Sequence, residues 1–216
     1  MMVAPLGIFG GTFDPIHYGH LRTGFELREV LDLQQLRWIP VGEPGHRETP
    51  LAPAHLRLRM VQAAIAEQPG FVADDRELRR IGRSYSIDTL QELRAEHPAT
   101  PLCLILGMDA FLGFTGWHRW QDILGVTHLV IAHRPGWQRP ATGELARLLA
   151  ERAVADPKAL HRQLAGLLYV HAVTQLEISS TELRDIVTSG RDPRFLVPEP
   201  VRQIILETGC YASLGR

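Results

Sequence analysis

The chain is short of cysteine. Of its 216 residues only Cys103 and Cys210 carry a thiol, and the two lack the spacing of a metal motif. Cys103 lies in the apolar run Leu102–Leu106, where a thiol reads as a small buried hydrophobe. Such sparse use of cysteine leads us to expect a reducing, cytoplasmic setting. Long hydrophobic runs are missing as well: none approaches the ~20 residues of a membrane span. The first residues lack the basic-then-apolar order of a secretion signal. Charge of one sign is also missing. A net charge of −1 gives no general attraction to nucleic acid or anionic lipid, so neither is expected as a partner. Apolar residues are not in short supply. At 45% they can fill the core of one sizeable domain spanning residues 1–216.

Apolar runs alternate with helical periodicity along the chain. Strands are expected at Val3–Phe9, Leu36–Val41, Phe71–Ala73, Leu102–Leu106, His128–Ala132 and Leu167–His171. Helices are expected at Gly19–Leu31, Ala54–Glu67, Ser86–Glu96, Glu144–Arg152, Ser180–Ser189 and Glu199–Thr208. The alternation predicts a Rossmann-like, doubly wound α/β fold, its mostly parallel sheet covered by helices on both faces. Nearly continuous apolar strands agree with two covered faces. The last two helices, within about 178–216, form a small C-terminal helical subdomain in this reading, with no clear linker before it. Ser86 is expected to cap its helix, Ser179 and Glu182 to form a capping box, and Gly209 to end the last helix. Gly42–Pro53 and Arg134–Gly143 read as loops.

Residues 10–20, Gly10-Gly11-Thr12-Phe13-Asp14-Pro15-Ile16-His17-Tyr18-Gly19-His20, carry most of the chemistry. They join a strand to a helix. Glycines let backbone approach a phosphate closely, and a helix start offers free N–H groups and a positive dipole end. Two histidines three apart on that first turn can face one anion. The pattern suits a nucleoside triphosphate. A plain glycine turn with solvated histidines is the bland alternative. Zinc is another, but no third ligand stands nearby at metal spacing.

The pattern Gly-x-Phe-Asp-Pro-x-His-x-Gly-His resembles the first signature of the nucleotidyltransferase superfamily. Ile178-Ser179-Ser180-Thr181-Glu182-Leu183-Arg184 resembles its second, Ile-Ser-Ser-Thr-x-x-Arg. The segments around Pro44–Arg47, Ser84–Leu90, Leu106–Asp109, Trp117-His118 and Arg134–Gly136 further resemble bacterial nicotinate mononucleotide adenylyltransferases. The resemblance runs from Gly7 to Tyr211 and is weakest at about 137–166. It implies transfer of AMP from ATP to nicotinate mononucleotide in NAD biosynthesis, with pyrophosphate released and Mg²⁺ carried on the ATP phosphates rather than held by a protein metal site. The attacking phosphate monoester is already mostly dianionic, its second pKa being ~6. Positioning and charge stabilisation therefore matter more than a general base.

By the same resemblance His17 and His20 are the catalytic pair. Gly10, Gly11, Thr12, Phe13, His17, His20, Gly107, Asp109, Ile178, Ser179, Ser180, Thr181 and Arg184 hold ATP. Thr12, His46, Arg47, Ser86, Thr89, Trp117, His118 and Arg134 hold the mononucleotide, with Trp117 stacked on its pyridine ring and backbone N–H groups near Ser86 and His118 meeting its carboxylate. The family commonly has Pro-Pro before its His-Arg pair, and Pro44-Gly45 loosens that loop here. A phosphopantetheine adenylyltransferase shares the first signature but lacks the Ser84–Leu90 and Trp117 segments. Use of the amide mononucleotide stays open, as does oligomeric state, a homo-oligomer included. A non-catalytic nucleotide-binding module is opposed by intact His17, His20 and Arg184. A dehydrogenase is opposed by the missing Gly-x-Gly-x-x-Gly.

Overall fold

The computed structural model describes residues 3–44, 49–133, 140–174 and 176–212. Seven strands, all parallel, form the central sheet: β1 (Leu6–Gly11), β2 (Gln35–Pro40), β4 (Phe71–Ala73), β6 (Leu102–Gly107), β7 (His128–His133), β8 (Ala153–Val154) and β9 (Leu168–Ala172). Their order is β4-β2-β1-β6-β7-β9-β8. The two remaining strands, β3 (Glu43–Pro44) and β5 (Arg83–Ser84), pair with each other in a separate ribbon. The helices are α1 (Tyr18–Val30), α2 (Ala54–Ile65), α3 (Arg76–Arg79), α4 (Ser86–Glu96), α5 (Met108–Leu112), α6 (Trp120–Val126), α7 (Gly143–Arg152), α8 (Ser180–Thr188) and α9 (Glu199–Thr208). No helix among the described residues is long and apolar enough to cross a membrane.

Strand periodicity sorts the core into two layers. Along β6, Cys103 and Ile105 face one apolar cluster, while Leu102, Leu104 and Leu106 face the other. The first cluster is filled by Leu27 and Leu31 from α1 and its end, Met60 and Val61 from α2, Leu183 from α8 and Ile205 from α9. The second takes Ile87 and Leu90 from α4, Ile123 from α6 and Leu148 from α7. Each such buried side chain is worth roughly 1.5–3 kcal/mol of transfer free energy. The sheet is thus covered on both faces, as the sequence pattern predicts. The C-terminal helices α8 and α9 share the first layer with α1 and α2. Cys103 is fully buried there, and burial raises its thiol pKa far above the ordinary value.

Several elements differ from the sequence expectations. β1 runs on to Gly11, so Gly10 and Gly11 are strand residues paired with Ile39 and Pro40. The short pieces α3, α5, α6, β3, β5 and β8 have too few residues to show a period. Ser86 is not the cap of α4. It is the first helical residue, and Tyr85 occupies the cap position. At α8 the Ser179 hydroxyl does cap, accepting from the Glu182 N–H at 3.1 Å. Gly209 closes α9 at φ 64°, the left-handed region open to glycine.

Strand order decides where a ligand can sit. From β1 the chain builds outward through β2 to β4 on one side and through β6 to β9 on the other. The crevice beyond the carboxyl ends of β1 and β6 lies at this switch point, where open parallel sheets take their ligands.

Candidate active site

A cavity of about 360 Å³ occupies that crevice. Phe9, Gly10, Gly11 and Thr12 from β1 line it, with Leu104–Gly107 from β6 and Trp117 and His118 opposite. Val41, Pro44, Glu77, Ser84–Ser86 and Ala110 add to the wall. Of the site residues expected from sequence, the fold brings Gly10, Gly11, Thr12, Gly107, Ser86, Trp117 and His118 to this one space. A Cβ on Gly10 would meet nothing within 4 Å, so the strand end is open there. Gly11 has a different reason. A Cβ on it would lie 2.9 Å from the Phe13 ring, which folds back into the core. Phe13 is 1% exposed and its backbone is left-handed at φ 49°. Its ring does not reach the cavity but packs edge-on against His20, with centroids 5.2 Å apart.

Next to this space, the two imidazoles stack. His17 caps α1 through its backbone, and its ring lies 3.8 Å from that of His20, centroid to centroid, tilted by 31°. Both Nδ1 atoms are buried without a hydrogen-bond partner among the described residues. Burial pushes the His17 pKa down to about 4. His20 is held well below its ordinary value by burial and by the neighbouring His17. Both rings are therefore neutral at pH 7 in the free protein. Gly19 stands between them for a steric reason: a Cβ there would sit 2.9 Å from His17 Nδ1 and 3.5 Å from the Ile178 carbonyl oxygen.

That last contact shows the second signature abutting the first. Arg184 Nη1 donates to the Asp14 carbonyl at 2.9 Å, and Arg184 Nη2 donates to Thr181 Oγ1 at 3.2 Å. The Ser180 hydroxyl donates to the Pro15 carbonyl at 3.0 Å, so in this structure it ties α8 to the histidine loop. The N-termini of α1 and α8 thus converge. Each contributes first-turn N–H groups that helix geometry leaves without intrahelical acceptors. Some are already taken: at α1 the Tyr18 N–H by the Leu196 carbonyl at 3.2 Å and the His20 N–H by the His17 carbonyl at 3.0 Å, and at α8 the Glu182 N–H by the Ser179 hydroxyl at 3.1 Å.

The aromatic wall is looser. Trp117 is half-buried and leans on Phe114 with centroids 5.6 Å apart. His118 is exposed and stacks on Tyr85 at 4.4 Å. Thr89 is not on the wall but behind it. Its hydroxyl donates to Glu77 Oε1 at 2.7 Å and accepts from Arg80 at 3.1 Å. Glu77 is buried, which raises its pKa, and it binds the Gly42 N–H as well. Asp109 is exposed in the first turn of α5, at the mouth of the crevice. His46, Arg47 and Arg134 lie outside the described residues.

Four residues with evident roles carried no assignment from sequence. Asp14 sits inside the signature, 4% exposed, accepting from the N–H groups of Leu51 and Ala52 and from the Tyr211 hydroxyl. Arg57 is 1% exposed and donates to three carbonyls, those of Ala52, Thr12 and Val41. A charge on the apolar face shared with Met60 and Val61 was its only available signal. Glu77 and Tyr211 gave none, since both act through partners distant in sequence.

A family model described as cytidylyltransferase-like matches residues 8–186. An Aeromonas salmonicida protein named "Probable nicotinate-nucleotide adenylyltransferase" is 47% identical over 213 residues, covering 99% of this chain and 100% of its own. A Methylococcus capsulatus protein of the same name is 44% identical over 209 residues, covering 96% and 100%. Among solved structures, Plasmodium falciparum nicotinic acid mononucleotide adenylyltransferase complexed with NaAD superposes with a TM-score of 0.72 over 96% of this chain and 97% of that one. At 16% identity that likeness speaks for the fold alone. The chain belongs to the cytidylyltransferase-like family and, within it, to the nicotinate-nucleotide adenylyltransferases.

Proposed function

We propose that this chain transfers AMP from ATP to nicotinate mononucleotide, giving nicotinate adenine dinucleotide and pyrophosphate. The observation that carries this reading is the meeting of two helix N-termini beside an aromatic-walled cavity at the switch point. Arg184 and Ser180 on α8 are bonded to the loop that ends in His17 and His20. In the reaction the mononucleotide phosphate attacks the α-phosphorus of ATP. A new P–O bond forms, the bond to the bridging oxygen breaks, and pyrophosphate leaves with its charge.

Gly10, Gly11, Thr12, Gly107 and the α1 and α8 termini hold the triphosphate. His17 and His20 are neutral before it arrives, and the anion then favours their charged forms. Positive charge so develops where the transition state needs it. Trp117 stacks on the pyridine ring, and N–H groups at the start of α4 and near His118 face its carboxylate. His46, Arg47 and Arg134 take the mononucleotide phosphate in this reading. When bound, Mg²⁺ carried on ATP would offset charge on the phosphates. A lone exposed carboxylate at the mouth, Asp109, suits an ion that brings most of its ligands with it. A cytoplasmic setting accords with these substrates.

The test is pyrophosphate release from ATP and Mg²⁺ with nicotinate mononucleotide, its amide or phosphopantetheine supplied in parallel. Fastest release with nicotinate mononucleotide is the expected result. Fastest release with another acceptor reassigns the substrate, and ATP binding without release removes the enzyme reading.

A further inference from the structure

We propose that Asp14 is a positioning residue that aligns the two substrate subsites with each other. Its link to substrates rests on the function proposed above, but its anchoring role does not. The carboxylate touches neither the cavity nor the imidazoles. Instead it collects three hydrogen bonds from two stretches of chain far apart in sequence. Leu51 N–H donates to Oδ2 at 2.8 Å, Ala52 N–H to Oδ1 at 3.0 Å, and the Tyr211 hydroxyl to Oδ1 at 2.7 Å. The Asp14 backbone carbonyl takes the Arg184 guanidinium at 2.9 Å.

The bonds continue past Ala52 to the cavity wall. Arg57 Nε donates to the Ala52 carbonyl at 3.2 Å, and the same guanidinium donates to the carbonyls of Thr12 at 2.8 Å and Val41 at 2.7 Å. Thr12 and Val41 both line the cavity. One unbroken path therefore runs from Arg184 on the triphosphate side, through Asp14, Ala52 and Arg57, to the wall that receives the second substrate. The Asp14 and Arg57 charges on it are buried while Arg184 is half-buried, and buried acceptors that lose their donors are costly. Burial and the Asp14 carboxylate both raise the Tyr211 pKa far above the ordinary phenol value, so its proton stays available to donate. The groups facing the Asp14 carboxylate are thus three hydrogen-bond donors, two guanidiniums, Arg57 and Arg184, and the half-buried Cys210 thiol.

Because Asp14 sets one subsite relative to the other, its loss affects the meeting of the reactants more than the binding of either. A misplacement of about 1 Å can cost roughly a hundred-fold in rate. In Asp14→Asn, one of the two acceptor oxygens becomes a donor and the charge is lost.

The experiment has two arms, each run on the whole chain. In the first, amide exchange is followed at Leu51 and Ala52 without substrates. Asp14→Asn is expected to speed exchange at both, and unchanged protection overturns the anchoring role whatever the enzyme's substrate. In the second, kcat and both KM values are measured, normalised to ATP-binding sites. The expected result is a kcat lowered by about ten- to a hundred-fold with each KM within about three-fold of wild type. Unchanged normalised kcat, or a loss confined to KM, overturns the alignment role. Failure of the wild type to release pyrophosphate instead counts against the function proposed above and leaves the first arm standing. Should Asp14→Asn not fold, Tyr211→Phe, which removes a single hydroxyl, is read in both arms with the same direction and a smaller size. An unchanged Tyr211→Phe in both arms then overturns the proposal.

Discussion

The histidine end of the site and its aromatic end are built to different standards. At the first, the rings of buried His17 and half-buried His20 lie 3.8 Å apart, and the surrounding loop is bonded to α2, α8 and the segment after α9. At the second, half-buried Trp117 packs against Phe114 and the second apolar cluster, and exposed His118 lies against Tyr85. The contrast suits the reaction proposed above. Charge that develops on a phosphorus must meet groups already in place, because reorganisation at that moment is costly. A pyridine ring needs only a flat face and a few donors. On the function proposed above, the acceptor's identity can therefore change with little disturbance to the groups assigned to ATP.

Removing His20 is the strongest way to break this contrast. His20→Ala is expected to lower kcat by about a hundred-fold or more while ATP affinity changes little, since the contact strengthens as charge develops. Single-turnover rates together with ATP titration decide it, and equal losses in both make His20 a binding group. At the other end, Trp117→Ala should raise KM for the mononucleotide by about ten-fold and leave KM for ATP within about two-fold. Parallel changes in both would make Trp117 a packing residue.

A smaller effect concerns protons. Burial holds His17 at about 4 and His20 well below its usual value in the free protein. A bound triphosphate raises both, so the complex holds more protons than its parts, and ATP affinity should rise as the pH falls toward the free His17 value of about 4. Calorimetry in buffers of different ionisation heat reads the uptake. His17→Asn should reduce it, which separates the imidazole from the titration of ATP itself. Net proton release on binding would contradict the assignment. The same burial has a stability consequence of opposite sense. These folded-state pKa values lie below the unfolded one, so stability is present above about pH 6.5 and is lost as the pH falls toward the folded values. The smallest expected effect is at α8. Ser179→Ala removes a cap worth about 1 kcal/mol, read as a lowered melting temperature.

How much of this was legible beforehand depended on distance along the chain. Gly10–His20 and Ile178–Arg184 were readable because each places its chemistry within one turn of helix. Helices Ser86–Glu96 and Glu199–Thr208 have the bounds that their periodicity and flanking residues indicate. Thr89 shows where the reading stopped. Its spacing puts it on α4 near the pocket, but only the fold shows its hydroxyl committed to Glu77 and Arg80. Asp14 and Tyr211 are 197 positions apart, and no local pattern links them. Ser86 misled for a local reason, since a serine favoured at caps was displaced by one residue. Short elements such as α5, which lines the crevice through Ala110, have too few residues to declare a period.

The position of β1 in the sheet has a consequence for how activity is lost. Parallel partners flank it on both sides, while β4 and β8 stand at the margins. Warming loosens margins before interiors. The working loop is rooted in the interior, so catalysis should persist through early fraying and end only when the whole fold gives way.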